Sequence, residues 1–243
     1  QQRGFGVSVY EQAGQLAEVG AGLTVTPNAT HVLHALGLAS DLARLGMQPE
    51  RGGARHWRSG ALLTEFERGA ALNERYGAPY VQIHRADLHD ALARAVLAHD
   101  PGSLLLDHRF ESLGQGAEEV EIRFANGARA HAYVAIGADG IRSAVRAQLF
   151  GAGQPDWQVE SWAIRSEIGE LLAEFPDWHR EVRTIIAATP PELCFKWALF
   201  DREPLASWTR GRVTLLGDAA HPMLPFLGQG AAMGIEDAMI LAR

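Results

Sequence analysis

The chain of 243 residues has 47% hydrophobic and 21% charged side chains, which excludes a disordered, collagen-like or disulfide-scaffold protein. A formal net charge of −7 provides no global basic field for nucleic acid or an anionic membrane, so neither is expected as a partner. Cys194 is the single cysteine, which removes an internal disulfide and any multi-cysteine metal site, and a reducing, cytoplasmic location is expected. No apolar run approaches the roughly 18 to 20 residues of a membrane-spanning helix. Gln1-Gln2-Arg3-Gly4 leads into a strand-like segment rather than an apolar leader core, so no signal peptide is expected. The length admits one large or two ordinary domains.

Gly6 to Tyr10 alternates small or polar with apolar residues and ends at Glu11, a short strand with an acidic tip. Thr26-Pro27-Asn28 opens a helix, with Thr26 as N-cap and Pro27 in the first turn. Val32, Leu33 and Leu36 form its apolar stripe, and Gly37 closes it in a left-handed cap. Residues 46–78 carry many Gly and Arg with little periodicity and read as loops and short strands. Tyr80 to Ile83 reads as a strand and Ala86 to Leu97 as a helix with Leu88, Leu92 and Val96 on one face. Leu104-Leu105-Leu106 is a short buried strand. Val120 to Phe124 and Ala130 to Ile136 flank Asn126-Gly127, a hairpin signal because both turn positions tolerate positive φ. Ile141 to Leu149 and Glu181 to Ala188 are helical, Arg212 to Leu216 is a strand, and Gly230 to Ala242 forms a final helix. Strands alternating with helices predict an α/β protein with a mainly parallel sheet.

Three segments carry chemistry. A strand ending in Glu11 is how a dinucleotide-binding sheet presents a carboxylate to ribose hydroxyls, although taken alone an ordinary strand with a surface glutamate is the favoured reading. The glycine fingerprint belongs about 20 residues earlier, before residue 1, so it is not expected in this chain. Gly20-Ala21-Gly22 follows the acid and lacks the third glycine, so it is not that fingerprint. In Ile136-Gly137-Ala138-Asp139-Gly140-Ile141-Arg142-Ser143 a strand breaks and a helix starts at once. Its amides can receive phosphate oxygens, and Asp139 can brace the turn by accepting backbone hydrogens. A plain strand-to-helix turn is the equal alternative. The third segment, Gly217-Asp218 through Gly228-Gln229-Gly230, is the most specific. It places Asp218 at a strand tip, stiffens the loop with Pro222 and Pro225, and opens a helix with two glycines, where the dipole favours negative charge.

Together and in this order, these segments resemble the FAD-dependent aromatic hydroxylases of the p-hydroxybenzoate hydroxylase superfamily. The likeness is greatest to salicylate, hydroxybenzoate and hydroxynicotinate hydroxylases. Gly137-Ala138-Asp139-Gly140 with Arg142-Ser143 resembles the second flavin motif of that family. Gly217-Asp218 through Gly230, with Ile235-Glu236-Asp237-Ala238, resembles the third. Glu18 to Leu23, Pro27-Asn28 and His84 to His89 also match.

The resemblance implies an α/β protein: a Rossmann-like FAD domain of the p-hydroxybenzoate hydroxylase type, with a β-sheet substrate domain partly missing. Residues 1–157 and 208–243 are the expected FAD domain and 158–207 the remainder of the substrate domain. It implies that Glu11, with Gln12 beside it, binds the adenosine ribose, and that Arg85 reaches the phosphate and ribitol region. Leu23 and Phe110 line FAD through their backbones, Asp139 and Gly140 lie near the pyrophosphate, and Asp218 contacts the ribitol. Gly228, Gln229, Gly230 and Ala231 set a helix N-terminus at the N1–O2 edge of the flavin, where negative charge develops on reduction. Pro222 and Pro225 wall the side on which oxygen reacts, and His221 belongs to the same catalytic loop. The implied reaction uses NADH or NADPH and O2 to hydroxylate a small aromatic acid or phenol through a flavin hydroperoxide, in a monomer or homodimer. Epoxidation or hydroxylation of a larger polycyclic substrate, and a non-catalytic flavin-binding remnant, are the alternatives.

Two departures matter. The first flavin motif is absent, and Gln158 to Trp162 follows Phe150 to Trp157 where the family carries a long sheet. Mobile segments left out of the chain are the expected cause, genuine truncation the other. Of the remaining histidines, His31 and His34 share a helix face, and His84 and His89 flank the helix beginning near Arg85. With no third ligand at usable spacing, no metal site is expected. His221 is expected to brace its loop rather than act as a general base. Asp177-Trp178-His179 allows acid–base work, but Trp178 and Trp197 read better as core or interface.

Overall fold

The computed structural model describes residues 1–16, 22–151, 164–196 and 202–243. The chain begins with β1 (Val9–Tyr10), β2 (Gly22–Val25), α1 (Pro27–Ala35), α2 (Ala39–Leu45), β3 (Arg51–Arg55) and β4 (Leu62–Glu67). It continues through α3 (Gly69–Tyr76), β5 (Val81–His84), α4 (Arg85–His99), β6 (Leu104–Leu105), β7 (Phe110–Gln115) and β8 (Val120–Phe124). Next come β9 (Arg129–Ala132), β10 (Ala135–Gly137), α5 (Ala144–Phe150), β11 (Ile164–Arg165), α6 (Ile168–Glu174) and α7 (Arg180–Ala188). Last are β12 (Phe195–Lys196), β13 (Thr209–Arg210), β14 (Val213–Leu215) and α8 (Gly230–Leu241).

The fold is mixed helix and strand, as the alternation predicts, but its pairing differs from a mainly parallel sheet. β1–β6 and β10–β14 pair in parallel, whereas β2–β5, β3–β4, β7–β8–β9, β11–β12 and β13–β14 are antiparallel. The β3–β4, β7–β8–β9 and β13–β14 pairs follow directly in the chain, which requires the antiparallel arrangement, whereas β2–β5 and β11–β12 are antiparallel although helices lie between their strands. The run Ala130 to Ile136, expected as one strand, is two for this reason: β9 completes the β7–β8 hairpin sheet and β10 leaves to pair with β14.

Two cores position the site. In the first, Val25, Val81 and Ile83 of the β2–β5 pair meet Leu33 of α1, Leu42 of α2, Leu88 and Ala91 of α4 and Ala232 of α8. Helix α1 starts with Pro27 at its first position, which fixes φ and needs no N–H partner. It ends where Gly37, at φ 86°, turns the chain so that Gly37 and Leu38 donate to the carbonyls of His34 and Leu33. Thr26 occupies the N-cap position without a side-chain cap bond. Its hydroxyl is 3.4 Å from Gln229 Oε1 instead, so the expected cap ties α1 to the loop before α8.

The second core joins Val120 of β8, Ala135 of β10, Val145 and Leu149 of α5, Val213 and Leu215 of β14, and Ala219 and Ala220 beyond it. Helix α3 lies within 46–78, where only loops and strands are expected; its glycine ends, Gly69 and Gly77, are both at positive φ and hide it from a periodicity reading. The turn of the β3–β4 hairpin docks on α6–α7: Trp57 lies 5.9 Å from Trp178, and the His179 N–H donates to the Trp57 carbonyl. Asp177 pairs with Arg58, so the Asp177-Trp178-His179 segment is an internal contact surface. Trp197, Gly20-Ala21 and Gln158 to Trp162 lie outside the described residues. No described helix is long and apolar enough to cross a membrane.

Gly137 has no room for a side chain, because a Cβ there would stand 2.8 Å from Val145 Cγ1 and 3.0 Å from Leu215 Cδ2. Gly137→Ala is therefore expected to destabilise the protein by about 1–3 kcal/mol through overpacking, measured as a lowered midpoint of thermal unfolding.

Candidate functional site

The site forms where β14 and β10 end side by side. Past β14 the chain turns at Gly217, φ 60°, into a short 3-10 turn, Gly217–Ala219, that carries Asp218. Past β10 the chain turns at Gly140, φ 77°, and enters α5 with Ser143 as its N-cap. Both turns therefore sit at the carboxyl ends of parallel strands, the position at which open α/β sheets bind ligands.

Asp139 braces its turn as expected: Oδ2 accepts the Val145 N–H at 3.1 Å, and Oδ1 accepts the Ser143 hydroxyl at 2.5 Å. Ser143 Oγ in turn accepts the Arg146 N–H at 2.8 Å. These amides at the start of α5 are thus already occupied within the chain, rather than left open to phosphate oxygens. Sequence reasoning missed Arg146, although its place one helical turn after the cap puts it on the inner face of α5. It is only 3% exposed, and its guanidinium donates to the carbonyls of Ala219 at 3.1 Å, Ala220 at 2.9 Å and Glu203 at 3.1 Å. Burial, and then the nearby Arg202 charge, hold its pKa below the ordinary arginine value. The Asp139 turn is thereby fastened to the chain segment that follows Asp218.

His221 is braced as expected of a loop-fixing residue. Its Nε2 donates to Asp237 Oδ2 at 2.6 Å, and the same oxygen accepts the Gly217 N–H at 3.0 Å. The Trp208 ring lies 4.8 Å from the imidazole. Asp237, one turn before the end of α8, is a second residue whose role the sequence did not disclose; its signal is a pair of adjacent acids, Glu236 and Asp237, in a helix that is apolar apart from them. Pro222 leads out of this brace, and Pro225 opens the 3-10 turn Pro225–Leu227.

Asp218 keeps surface access, yet desolvation pushes its carboxyl above the ordinary aspartate value, opposed by the charges of His221 and Arg85. The charge of Arg85, first residue of α4, thus acts on Asp218 from a distant part of the sequence. Gly228, at φ 61°, lies against Thr24, 3.3 Å from where its Cβ would stand, and Gln229 reaches Thr26. Gly230 and Ala231 open α8, whose first N–H groups have no partner inside the helix. Leu23 pairs with Ile83 in β2–β5, and Phe110 pairs with Phe124 in β7–β8. Glu11 follows β1, its Oε1 accepting the Ala13 N–H at 2.8 Å, with Gln12 exposed beside it.

Phe226 and Leu227, 77% and 82% exposed, stand beside Gly228 and the amides that open α8. Bare apolar rims, a positive helix end and an under-solvated acid fit a flat ring that gains negative charge at one edge and carries hydroxyls at the other. That donor set fits FAD. Among the described residues no three His, Cys, Asp or Glu side chains form a metal cluster.

Fold and site define a flavin-binding protein of the p-hydroxybenzoate hydroxylase type. Residues 1–163 and 175–243 match the FAD binding domain family, and the chain belongs to it. A 3-amino-4-hydroxybenzoate 2-monooxygenase of Streptomyces platensis is 35% identical over 294 aligned residues, covering 98% of this chain and 73% of the relative. A 6-hydroxynicotinate 3-monooxygenase of Bordetella bronchiseptica is 33% identical, covering 99% and 76%. The aligned lengths exceed the 243 residues of this chain, so these relatives carry internal residues that it does not. HpxO of Klebsiella pneumoniae, solved with FAD and uric acid, superposes with TM-score 0.84 at 25% identity, covering 99% of this chain and 74% of that one. The chain is accordingly an FAD-dependent enzyme of the aromatic-ring monooxygenase class.

Two outcomes follow from this geometry. The folded protein holds the Asp218 proton more tightly than the unfolded chain, so that contribution to stability is full at low pH and lost as pH rises through the raised pKa. Asp218→Asn should therefore gain thermal stability relative to wild type between about pH 4 and 7, followed by unfolding midpoints in the absence of FAD. Arg146→Ala takes the donor from two buried carbonyls, Ala219 and Ala220, and from the part-buried Glu203 carbonyl, and is expected to cost about 2–4 kcal/mol, read from denaturant unfolding.

Proposed function

We propose that this enzyme hydroxylates a small aromatic acid or phenol, with NADH or NADPH as reductant and O2 as the oxygen source. The observation that carries the reading is the Gly228–Ala231 helix opening, bordered by exposed apolar residues and set beside the strand-tip acid Asp218. The names of the two monooxygenase relatives support the substrate class. Residues 1–157 and 208–243 form the FAD domain in this reading, and 158–207 the remainder of a substrate domain. A cytoplasmic monomer or homodimer is the accompanying proposal.

When bound, FAD supplies the redox and oxygen chemistry, and the protein supplies position, charge and a dry surface. Gly228, Gln229, Gly230 and Ala231 offer backbone N–H groups to the electron-rich ring edge, and the α8 dipole stabilises negative charge there. Asp218 accepts hydrogen bonds from ribitol hydroxyls, a role that restores the solvation its carboxylate lacks in the protein alone. Arg85 balances phosphate charge beside it, and Leu23 and Phe110 contribute backbone contacts. Glu11 and Gln12 receive the adenosine ribose, with Asp139 and Gly140 toward the pyrophosphate. His221 holds its ring proton on Asp237 and so maintains the loop that presents Pro222 and Pro225.

The direct test is NADH and NADPH oxidation by the FAD-loaded protein, with oxygen uptake and product followed together, across hydroxybenzoates, hydroxynicotinates and larger polycyclic phenols. Stimulated oxidation with stoichiometric hydroxylated acid is the expected outcome. Product formed only from polycyclic compounds would move the substrate class, and failure to take up FAD would favour a remnant without catalysis.

A further inference from the structure

If the substrate is an aromatic acid, a cation about one ring's length from the flavin edge would fix its carboxylate, and no residue considered so far has that role. Along the β2–β5 pair, Val25, Val81 and Ile83 point into the first core. Thr24 instead meets Gly228, and the Tyr80 hydroxyl donates to Thr24 Oγ1 at 3.4 Å. Tyr80 is buried at 9% exposure, so its ring is a firm platform that leads from the helix opening toward the β3–β4 hairpin. Arg68, the residue after β4, lies on that platform: its Cζ is 4.1 Å from the Tyr80 centroid and 5.0 Å from that of Phe66.

Several of the other arginines are paired with acids. Arg51 bonds Glu65, Arg58 bonds Asp177, Arg44 and Arg94 share Asp41, and Arg123 bonds Glu121. Arg68 makes no ion pair among the described residues. Glu50 meets it only through the backbone, its carbonyl accepting the Arg68 N–H, while its carboxylate lies beside Gly69. A guanidinium lying on an aromatic face uses its π surface and keeps its planar fork of N–H donors directed outward. Such a fork matches the two oxygens of a carboxylate, and the stacking holds it in plane before a ligand arrives.

We propose that Arg68, stacked on Tyr80, is the residue that binds the carboxylate of the aromatic acid and sets the preference for acids over neutral phenols. This rests on the small aromatic acid reading above. The ring of the acid then lies between Arg68 and the loop at Gly228, with the charged group remote from the flavin edge. Selectivity arises because a neutral ring carrying no acid leaves the guanidinium with only its aromatic contact.

The test uses FAD-loaded wild type, Arg68→Gln and Arg68→Lys, titrated with 3-hydroxybenzoate, 6-hydroxynicotinate and their carboxamides, with Kd read from the change in flavin absorbance. Arg68→Gln is expected to weaken the acids about 10- to 100-fold and the carboxamides by no more than about twofold. Arg68→Lys, a point charge without the fork, is expected to fall between. FAD content and the wild-type circular dichroism spectrum are expected to be retained. If acids bind Arg68→Gln as tightly as wild type, or if acids and carboxamides weaken equally, the carboxylate role of Arg68 is overturned while the substrate reading stands. If neither acids nor carboxamides bind wild type, the small aromatic acid reading fails, and this inference falls with it.

Discussion

A guanidinium buried in the second core joins the two glycine–aspartate turns of this protein. Arg146 projects from the first turn of α5, and its planar fork reaches the carbonyls of Ala219 and Ala220 just beyond Asp218. A charge in that position is tolerated only because carbonyl dipoles replace the water it has lost. The ends of β10 and β14 are therefore held in one register twice, by the parallel ladder and by this cation. Gly137 contributes from the same place: without a side chain it lets α5 and β14 close over the strand end. The position of Asp218 depends on all three.

From that anchor the site is assembled by small polar ties rather than by a large apolar interface. Asp237 draws Gly217 and His221 onto α8, so the helix and the strand-tip turn are tied through one carboxylate oxygen. Thr24 and Thr26 then place β2 and the start of α1 against Gly228 and Gln229. The result is a helix opening whose amides and dipole face outward, next to an acid that is poorly solvated where it stands. In the proposed reading, these are the groups that a ligand carrying hydroxyl donors and an electron-accepting ring would satisfy.

Much of this was legible in the sequence where the signal is local. The Gly217-Asp218 turn, the two prolines and the glycines opening α8 specify their backbone directly, and the brace formed by Asp139 follows from an acid placed just ahead of a helix start. Local signals failed where a residue has two physical options. Thr26 sits at an N-cap but directs its hydroxyl to Gln229, because that partner arrives only on folding. The run from Ala130 to Ile136 reads as one strand, yet its halves have different partners. Helix α3 was hidden because glycines mark both of its ends, and composition alone does not separate a glycine cap from a glycine loop.

By itself the sequence determined the mixed helix and strand class, the acidic strand tip after β1, the glycine–aspartate turns and the resemblance to flavin-dependent hydroxylases. These depend on neighbours a few residues apart, whose allowed φ and ψ and side-chain reach are set by covalent geometry. Only the tertiary structure decided which acid receives His221, which carbonyls receive Arg146, that the charge of Arg85 acts on Asp218 and that Arg68 lies on Tyr80. Those pairings join residues from about a dozen to more than a hundred positions apart. Their geometry is set by how two separate cores pack, which no local spacing records.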